Sequence, residues 1–180
     1  MEPPFETVAS VAARLLLEPH PEGGFFKRWF PSPAPGAAAT AAAAEAAAAA
    51  ACSPAGACSS ILYLLPAGAV CTLHALRGSD ELWFFQGGSP LTVVELLAGG
   101  GVLRTQVTAG APHAVPAGRV FGASLPAAAP GAPPWALVAC VVAPGFDWAN
   151  WEHPFRAELL QRFPGDEARA AVAELGRADE

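Results

Sequence analysis

HALRGSDELWFFQGG, residues His74 to Gly88, places a histidine seven residues before a carboxylate, Glu81, and then runs on as an aromatic strand that ends in two glycines. Strand residues that alternate in polarity and stop at Gly-Gly predict one arm of an antiparallel sheet. The same run poses the chemical question of the chain. His74 and Glu81 are residue types that bind metals or move protons, and the residues around them decide which.

On either side of this stretch the pattern repeats. SSILYLLPAG, AVCTLHAL, PLTVVELL, GVLRTQV, HAVPAGRVFGASL and PWALVACVVAPG are short strand-like runs. They are divided by turn signals at Pro66 with Gly68, Gly78, Gly99 to Gly101, Gly110, Gly118 and a Pro-rich loop from Pro126 to Pro134. Regular short strands with glycine turns and no helices between them predict an antiparallel sandwich or barrel, with a jelly roll as the natural architecture. Upstream, Thr7 to Glu18 carries a helical apolar stripe of Val8, Val11, Ala12, Leu15 and Leu16 with Thr7 or Ser10 as its cap. Pro19 and Pro21 stop that helix, and PEGGFFKRWF reads as a Gly-Gly turn entering a strand. After Gly145 the pattern becomes helical again, with one helix over Phe155 to Arg162 and another from Asp166, as N-cap, to Leu175. Both are expected on the outside of the barrel.

The 180 residues fit a single domain spanning 1–180. From Pro31 to about Ala57 the composition collapses to Pro, Ala and Gly, which marks an insertion decorating that domain, helical or disordered, without chemistry of its own. A net charge of −6 with scattered basic residues offers no face for nucleic acid. No window approaches the roughly 18 apolar residues of a membrane span. The acidic start, MEPPFETVAS, has neither the basic n-region of a secretory signal nor an Arg-rich leader, so the cytoplasm is the expected location. Four cysteines, Cys52, Cys58, Cys71 and Cys140, are too irregularly placed for a disulfide scaffold; Cys71 and Cys140 fall in apolar runs and read as buried thiols.

These residues resemble the cupins, whose two motifs are G-x5-H-x-H-x4-E-x6-G and G-x5-P-x-G-x2-H-x3-N. Gly68, His74, Glu81 and Gly88 match the first with Leu76 in the second histidine position; Gly110, Pro116 and Gly118 match the second with Phe121 and Leu125 replacing histidine and asparagine. HPEGGFF from His20, HALRGSDELW from His74, GGSPL from Gly87, VPAGRVFGA from Val115 and APGFDW from Ala143 resemble, in order, the uncharacterised fifth cupin family. Phe84, where histidine is common in relatives, and the insertion depart from it. The resemblance implies a mainly β cupin double-stranded β-helix, a jelly-roll barrel with a short N-terminal helix and C-terminal helices. It also implies a homodimer formed by sheet-to-sheet contact.

A cupin metal centre takes three histidines and one carboxylate, so with Leu76 and Phe121 in the set no metal and no cofactor are expected. The expected activity is binding of a small polar metabolite, such as a sugar, nucleotide-sugar or organic acid, in the barrel mouth. If the chain is an enzyme, likeness to sugar-epimerase cupins implies proton abstraction beside a carbonyl, with His74 as base, Glu81 orienting it, Tyr63 as acid and Arg28 as anion clamp. Glu22, beside Gly23 and Gly24, is a further ligand contact, and Trp83, Phe85 and Phe121 are apolar or stacking walls. The competing readings are a non-catalytic binding module and a metal enzyme using His74, Glu81 and His113; for His113 itself a solvent-facing position is expected. His20 is expected to hydrogen-bond backbone, Asp147 to order its loop, and His153 to be structural.

Overall fold

The computed structural model describes residues 5–30 and 56–179. The Pro/Ala-rich insertion, apart from its last two residues, and Cys52 lie outside the described residues. The helix α1 covers Val8–Leu15, opened by Thr7, whose hydroxyl accepts the Ser10 N–H at 3.1 Å. It is shorter than the apolar stripe suggested, because Leu16 turns into the left-handed region at φ 55° and the chain then enters a strand.

Among the described residues eleven strands follow in chain order: β1 Glu18–Pro19, β2 Phe25–Phe30, β3 Ser59–Pro66, β4 Val70–Leu76, β5 Asp80–Gly88, β6 Leu91–Leu96, β7 Val102–Val107, β8 His113–Val115, β9 Val120–Ser124, β10 Trp135–Ala143 and β11 Trp151–Glu152. They form two sheets, ordered β1-β2-β3-β10-β5-β8 and β11-β4-β9-β6-β7, with every paired strand antiparallel. This is the expected jelly roll. Strand β10 shows the physics most simply: Ala136, Val138, Cys140 and Val142 are buried while their neighbours are half-exposed, the period of two that a strand with one covered face must have.

The inner faces meet in a core of Tyr63, Leu65, Trp83, Leu91, Val93, Val107, Val115, Phe121 and Val138. A second cluster forms on the outer face of the five-stranded sheet. There Leu73, Ala75, Val94, Leu96 and Val120 pack against Leu159 of α2 (Arg156–Arg162) and against Ala168, Ala171, Val172 and Leu175 of α3 (Asp166–Leu175). Both C-terminal helices therefore sit outside the barrel as expected, although Asp166 is the first residue of α3 and Gly165 occupies the cap. No helix among the described residues is long and apolar enough to cross a membrane.

One irregularity positions the site. Along β4, Cys71 pairs with Ala123 and His74 pairs with Phe121, so three steps on β4 face two on β9. A bulge of this kind resets the inside-outside alternation. Cys71 and His74, three apart, consequently both line the barrel interior, while Leu73 between them joins the outer cluster. The bulge exists because residue 122 is glycine: a Cβ there would stand 2.6 Å from the Cys71 carbonyl oxygen and 3.3 Å from the Leu73 nitrogen. Gly122→Ala is expected to cost about 2 kcal/mol through this overlap, lowering Tm by roughly 5 °C. A thermal melt checks it, and an unchanged Tm would mean the bulge does not depend on the missing side chain.

Candidate functional site

Between the sheets lies a small cavity of about 70 Å³ that opens at one mouth. Its polar lining comes from the turn before β2 (His20 and Glu22), β3 (Ser59, Ser60 and Tyr63), β4 (Cys71 and His74), β5 (Glu81) and β10 (Cys140). Phe26, Trp83, Phe146 and Trp148 supply aromatic wall, and Arg28 stands at the exposed rim.

Glu22 reaches the interior because the HPEGG turn folds inward over the β4 bulge. Gly23, at φ 105°, lets the turn lie against Val70, where a Cβ would meet the carbonyl oxygen at 2.3 Å. Gly24 likewise lies against the Leu64 carbonyl. The backbone N–H of Thr72, inside the bulge, donates to the Glu22 carbonyl at 2.8 Å, and the Tyr63 hydroxyl donates to the Gly23 carbonyl at 2.8 Å. The Glu22 side chain is 6% exposed. Its Oε1 accepts the Trp151 indole N–H at 2.5 Å, and its Oε2 accepts the Cys71 thiol at 3.4 Å and lies 3.3 Å from His74 Nδ1.

The tautomer of His74 follows from its neighbours. Nδ1 is 2.9 Å from the Thr72 carbonyl, which can only accept, so Nδ1 carries the hydrogen and Nε2 is left with its lone pair. Phe121 packs against the imidazole at 4.2 Å between ring centroids. His20 has the opposite arrangement: Nδ1 accepts the Glu22 backbone N–H at 3.2 Å, and burial holds the ring's pKa below the usual histidine value. His153 bonds the Thr72 hydroxyl at 2.7 Å.

Glu81 faces this network from the other sheet. Burial, and then the charge of Glu22, push its carboxyl up to about 8, with the Cys140 thiol's hydrogen bond acting in the opposite direction. At neutral pH it is a neutral acid that can donate a proton or a hydrogen bond. The expectation that Glu81 orients His74 is therefore corrected: β4 and β5 belong to different sheets, and the carboxylate beside His74 is Glu22.

Other expectations also change. Tyr63 lines the cavity, but its hydroxyl hydrogen is donated to Gly23 and burial pushes its pKa well above the usual phenol value, so it braces the turn and does not serve as an acid. Phe85 packs against the core without lining the cavity, and Phe121 lies behind His74. His113 is not solvent-facing; its Nε2 bonds buried Glu95 at 2.7 Å, with Arg119 on the other Glu95 oxygen at 3.4 Å. Asp147 does order its loop, accepting the Ala149 N–H at 2.9 Å. Two participants were missed in the sequence, Trp151 and the Thr72 bulge. Gly122 inside an otherwise strand-like run was the available signal for the second.

The side chains do not fit the metal centre that the fold implies. Leu76 and Phe121 offer no donor at two of the four positions of that centre. Glu22, Cys71 and His74 do converge, their donor atoms within 4.8 Å of one another. Their hydrogen bonds to each other, to Trp151 and to Thr72 account for that proximity.

Two facing antiparallel sheets of this topology around a cavity are the architecture of a cupin, a double-stranded β-helix. The Cupin_5 profile, described as "Cupin superfamily (DUF985)", matches residues 9–153, and the chain belongs to that family. It is similar to protein SO0799 from Shewanella oneidensis, at 27% identity and TM-score 0.74, over 97% of this chain and 100% of that one. It is equally similar to a hypothetical protein from Leishmania major, at 28% identity and TM-score 0.75, again over 97% and 100%. Oxalate decarboxylase from Bacillus subtilis shares the fold alone, at 14% identity and TM-score 0.52, over 89% of this chain and 37% of that one. Among curated proteins none matches.

The Glu81 shift has a consequence for stability. Between pH 4.5 and about 8 the folded chain holds a proton that the unfolded chain has released, so stability falls as pH rises through that window and levels off above it. Glu81→Gln cannot ionise and is expected to remove this loss, on the order of a few kcal/mol. Its Tm relative to the parent protein should rise between pH 5 and pH 9; a constant difference would place Glu81 in its ordinary ionised state.

Proposed function

We propose that this cupin binds a small polar metabolite in the barrel cavity and moves a proton beside the carbonyl of that metabolite, in the manner of an epimerase or isomerase, through its own side chains and without a metal. One observation carries the reading. His74, with a free Nε2 and the Glu22 carboxylate 3.3 Å behind its Nδ1, faces the neutral acid Glu81 across an aromatic-walled cavity. A base backed by a carboxylate gains a proton at little cost, because the new imidazolium is paired as it forms. A buried carboxylic acid opposite supplies the complementary proton or hydrogen bond. Arg28, on the rim and without an ion-pair partner among the described residues, suits the carboxylate or phosphate of an organic acid or a nucleotide-sugar.

The test is proton wash-out. Sugars, nucleotide-sugars and 2-oxo acids incubated with the protein in D2O should lose the signal of the proton beside the carbonyl in NMR spectra. His74→Gln should slow the loss by about 100-fold or more while keeping the fold. No wash-out from any of the three classes would leave a non-catalytic binding module, a reading that the complete hydrogen bonding of Glu22 also suits.

The proposal includes a homodimer. Trp29 and Phe30 are 71% and 56% exposed on the half of β2 that β1 does not cover. Large aromatics on an unpaired edge favour burial against a second sheet. Light scattering across a concentration series should give twice the chain mass, and Trp29→Asp with Phe30→Asp should return it to the monomer; a monomer mass throughout in the unaltered protein removes the dimer.

A further inference from the structure

Trp83 is 2% exposed, and its indole Nε1 is the one buried side-chain nitrogen or oxygen among the described residues without a hydrogen-bond partner. An unpaired buried N–H carries a desolvation penalty, and native cores hold few of them. Trp83 is also one of the residues lining the cavity. Trp83 and Glu81 are two apart on β5, hence on the same face of the strand, and both line the cavity. Trp83 and His74 both pack on Phe121, at 6.3 and 4.2 Å between ring centroids, and both line the cavity from different sheets.

We infer that the Trp83 Nε1–H and the Glu81 carboxyl together form an oxyanion site, which receives the carbonyl oxygen of a small 2-oxo acid or acid-bearing ketose whose neighbouring C–H faces His74. The inference rests on the proton-transfer reading above and names its substrate class. In the forward step the C–H bond breaks, its proton goes to His74 Nε2, and the electron pair moves into the carbonyl to make an enolate. The enolate oxygen is held by two donors, one from Trp83 and one from Glu81, and the imidazolium is held by Glu22. Protonation of the same carbon on its other face by a solvent proton, with His74 releasing its own to solvent, gives the epimer. Where that carbon bears a hydroxyl, transfer of the hydroxyl proton to the enolate oxygen and of the His74 proton to the former carbonyl carbon gives the isomer. No oxidant or reductant is consumed. Two fixed donors aimed at the developing charge favour the enolate over the ketone, which is how such sites accelerate enolisation. The acid group of the substrate lies toward Arg28 at the rim, away from the negative charge of Glu22.

Glu81 donates only while protonated. The titratable groups around it are Glu22 from the turn before β2, Cys140 from β10 and Cys71 from β4. The rate should therefore fall as pH rises through about 8.

The test uses pyruvate, 2-oxoglutarate and dihydroxyacetone phosphate with the full-length protein, read in two ways. In 15N-labelled protein, the indole N–H resonance of Trp83, identified by its loss in Trp83→Phe, should move downfield on addition of at least one of the three. In D2O, Trp83→Phe should slow wash-out by about 100-fold in kcat with little change in KM. Glu81→Gln, which keeps a donor, should retain most of the rate and lose the alkaline fall; Glu81→Leu should lose the rate, and this pair stands even if the Trp83 variant folds poorly. Wash-out that needs His74 but runs as fast in Trp83→Phe and Glu81→Leu overturns the oxyanion site and leaves the proton-transfer reading standing. If no compound is washed out, that reading fails. The site is then upheld only as a carbonyl-binding site by a shifted Trp83 resonance, and an unmoved resonance overturns it.

Discussion

The seating of the Glu22 turn in the β4 bulge is the contact on which the polar cavity depends. Each partner is shaped for the other. Two glycines let the turn approach carbonyl oxygens that a Cβ would strike, and Gly122 lets β4 carry an extra residue. The extra residue, Thr72, then serves both sides: its N–H holds the Glu22 carbonyl, its own carbonyl holds His74, and its hydroxyl holds His153. Without the bulge His74 would point toward the helices, where α3 packs on Leu73 and Ala75. A buried carboxylate and a correctly turned imidazole are thus consequences of backbone shape.

How much of this could be read in the sequence divides along a physical line. The jelly roll was legible because it follows from period-two burial and turn glycines, which are local signals. So was the presence of His74, Glu22, Glu81 and Arg28 in the barrel, through motifs whose order matches the Cupin_5 family. Which residues pair was not legible, since pairing depends on which sheet each strand joins. His74 and Glu81 are close in sequence and lie in opposite sheets, whereas Glu22, some fifty positions before His74, is its direct partner. Tyr63 was given an acid role from likeness to sugar-epimerase cupins, and its hydroxyl donates to a backbone carbonyl 40 positions away. Trp151 was invisible for the same reason: it crosses 129 positions to reach Glu22.

The two walls of the cavity also differ in electrostatic character. On the side of β4 the groups form a closed network in which Glu22 draws hydrogen bonds from Trp151 and Cys71 and stands beside His74. On the side of β5 and β10 the groups are neutral donors, with the Cys140 thiol, like the Glu81 carboxyl, held protonated by burial. Burial first, and then the charge of Glu22, keep Glu81 neutral. The polarity of the cavity is therefore directional, with negative charge at one sheet and hydrogen-bond donors at the other.

That direction bears on why the protein tolerates the arrangement. A barrel core filled with apolar side chains would be more stable than one holding a buried carboxylate, a carboxylic acid displaced from its ordinary pKa and an indole N–H with nothing to bond. Elsewhere among the described residues every other buried side-chain nitrogen and oxygen has a partner, the buried Glu95 carboxylate included. Three unfavourable features gathered on the facing walls of one cavity, in a molecule otherwise consistent at every level, are the pattern expected where stability has been given up for a ligand's benefit. A ligand oxygen at Trp83 and Glu81 would repair the unpaired N–H, satisfy the acid and keep its own negative charge on the far side from Glu22. The unpaired N–H and the neutral acid, two apart on β5, are complementary to the enolising substrate proposed above, so the strand register of β5 is what would tie them to the proposed chemistry at His74.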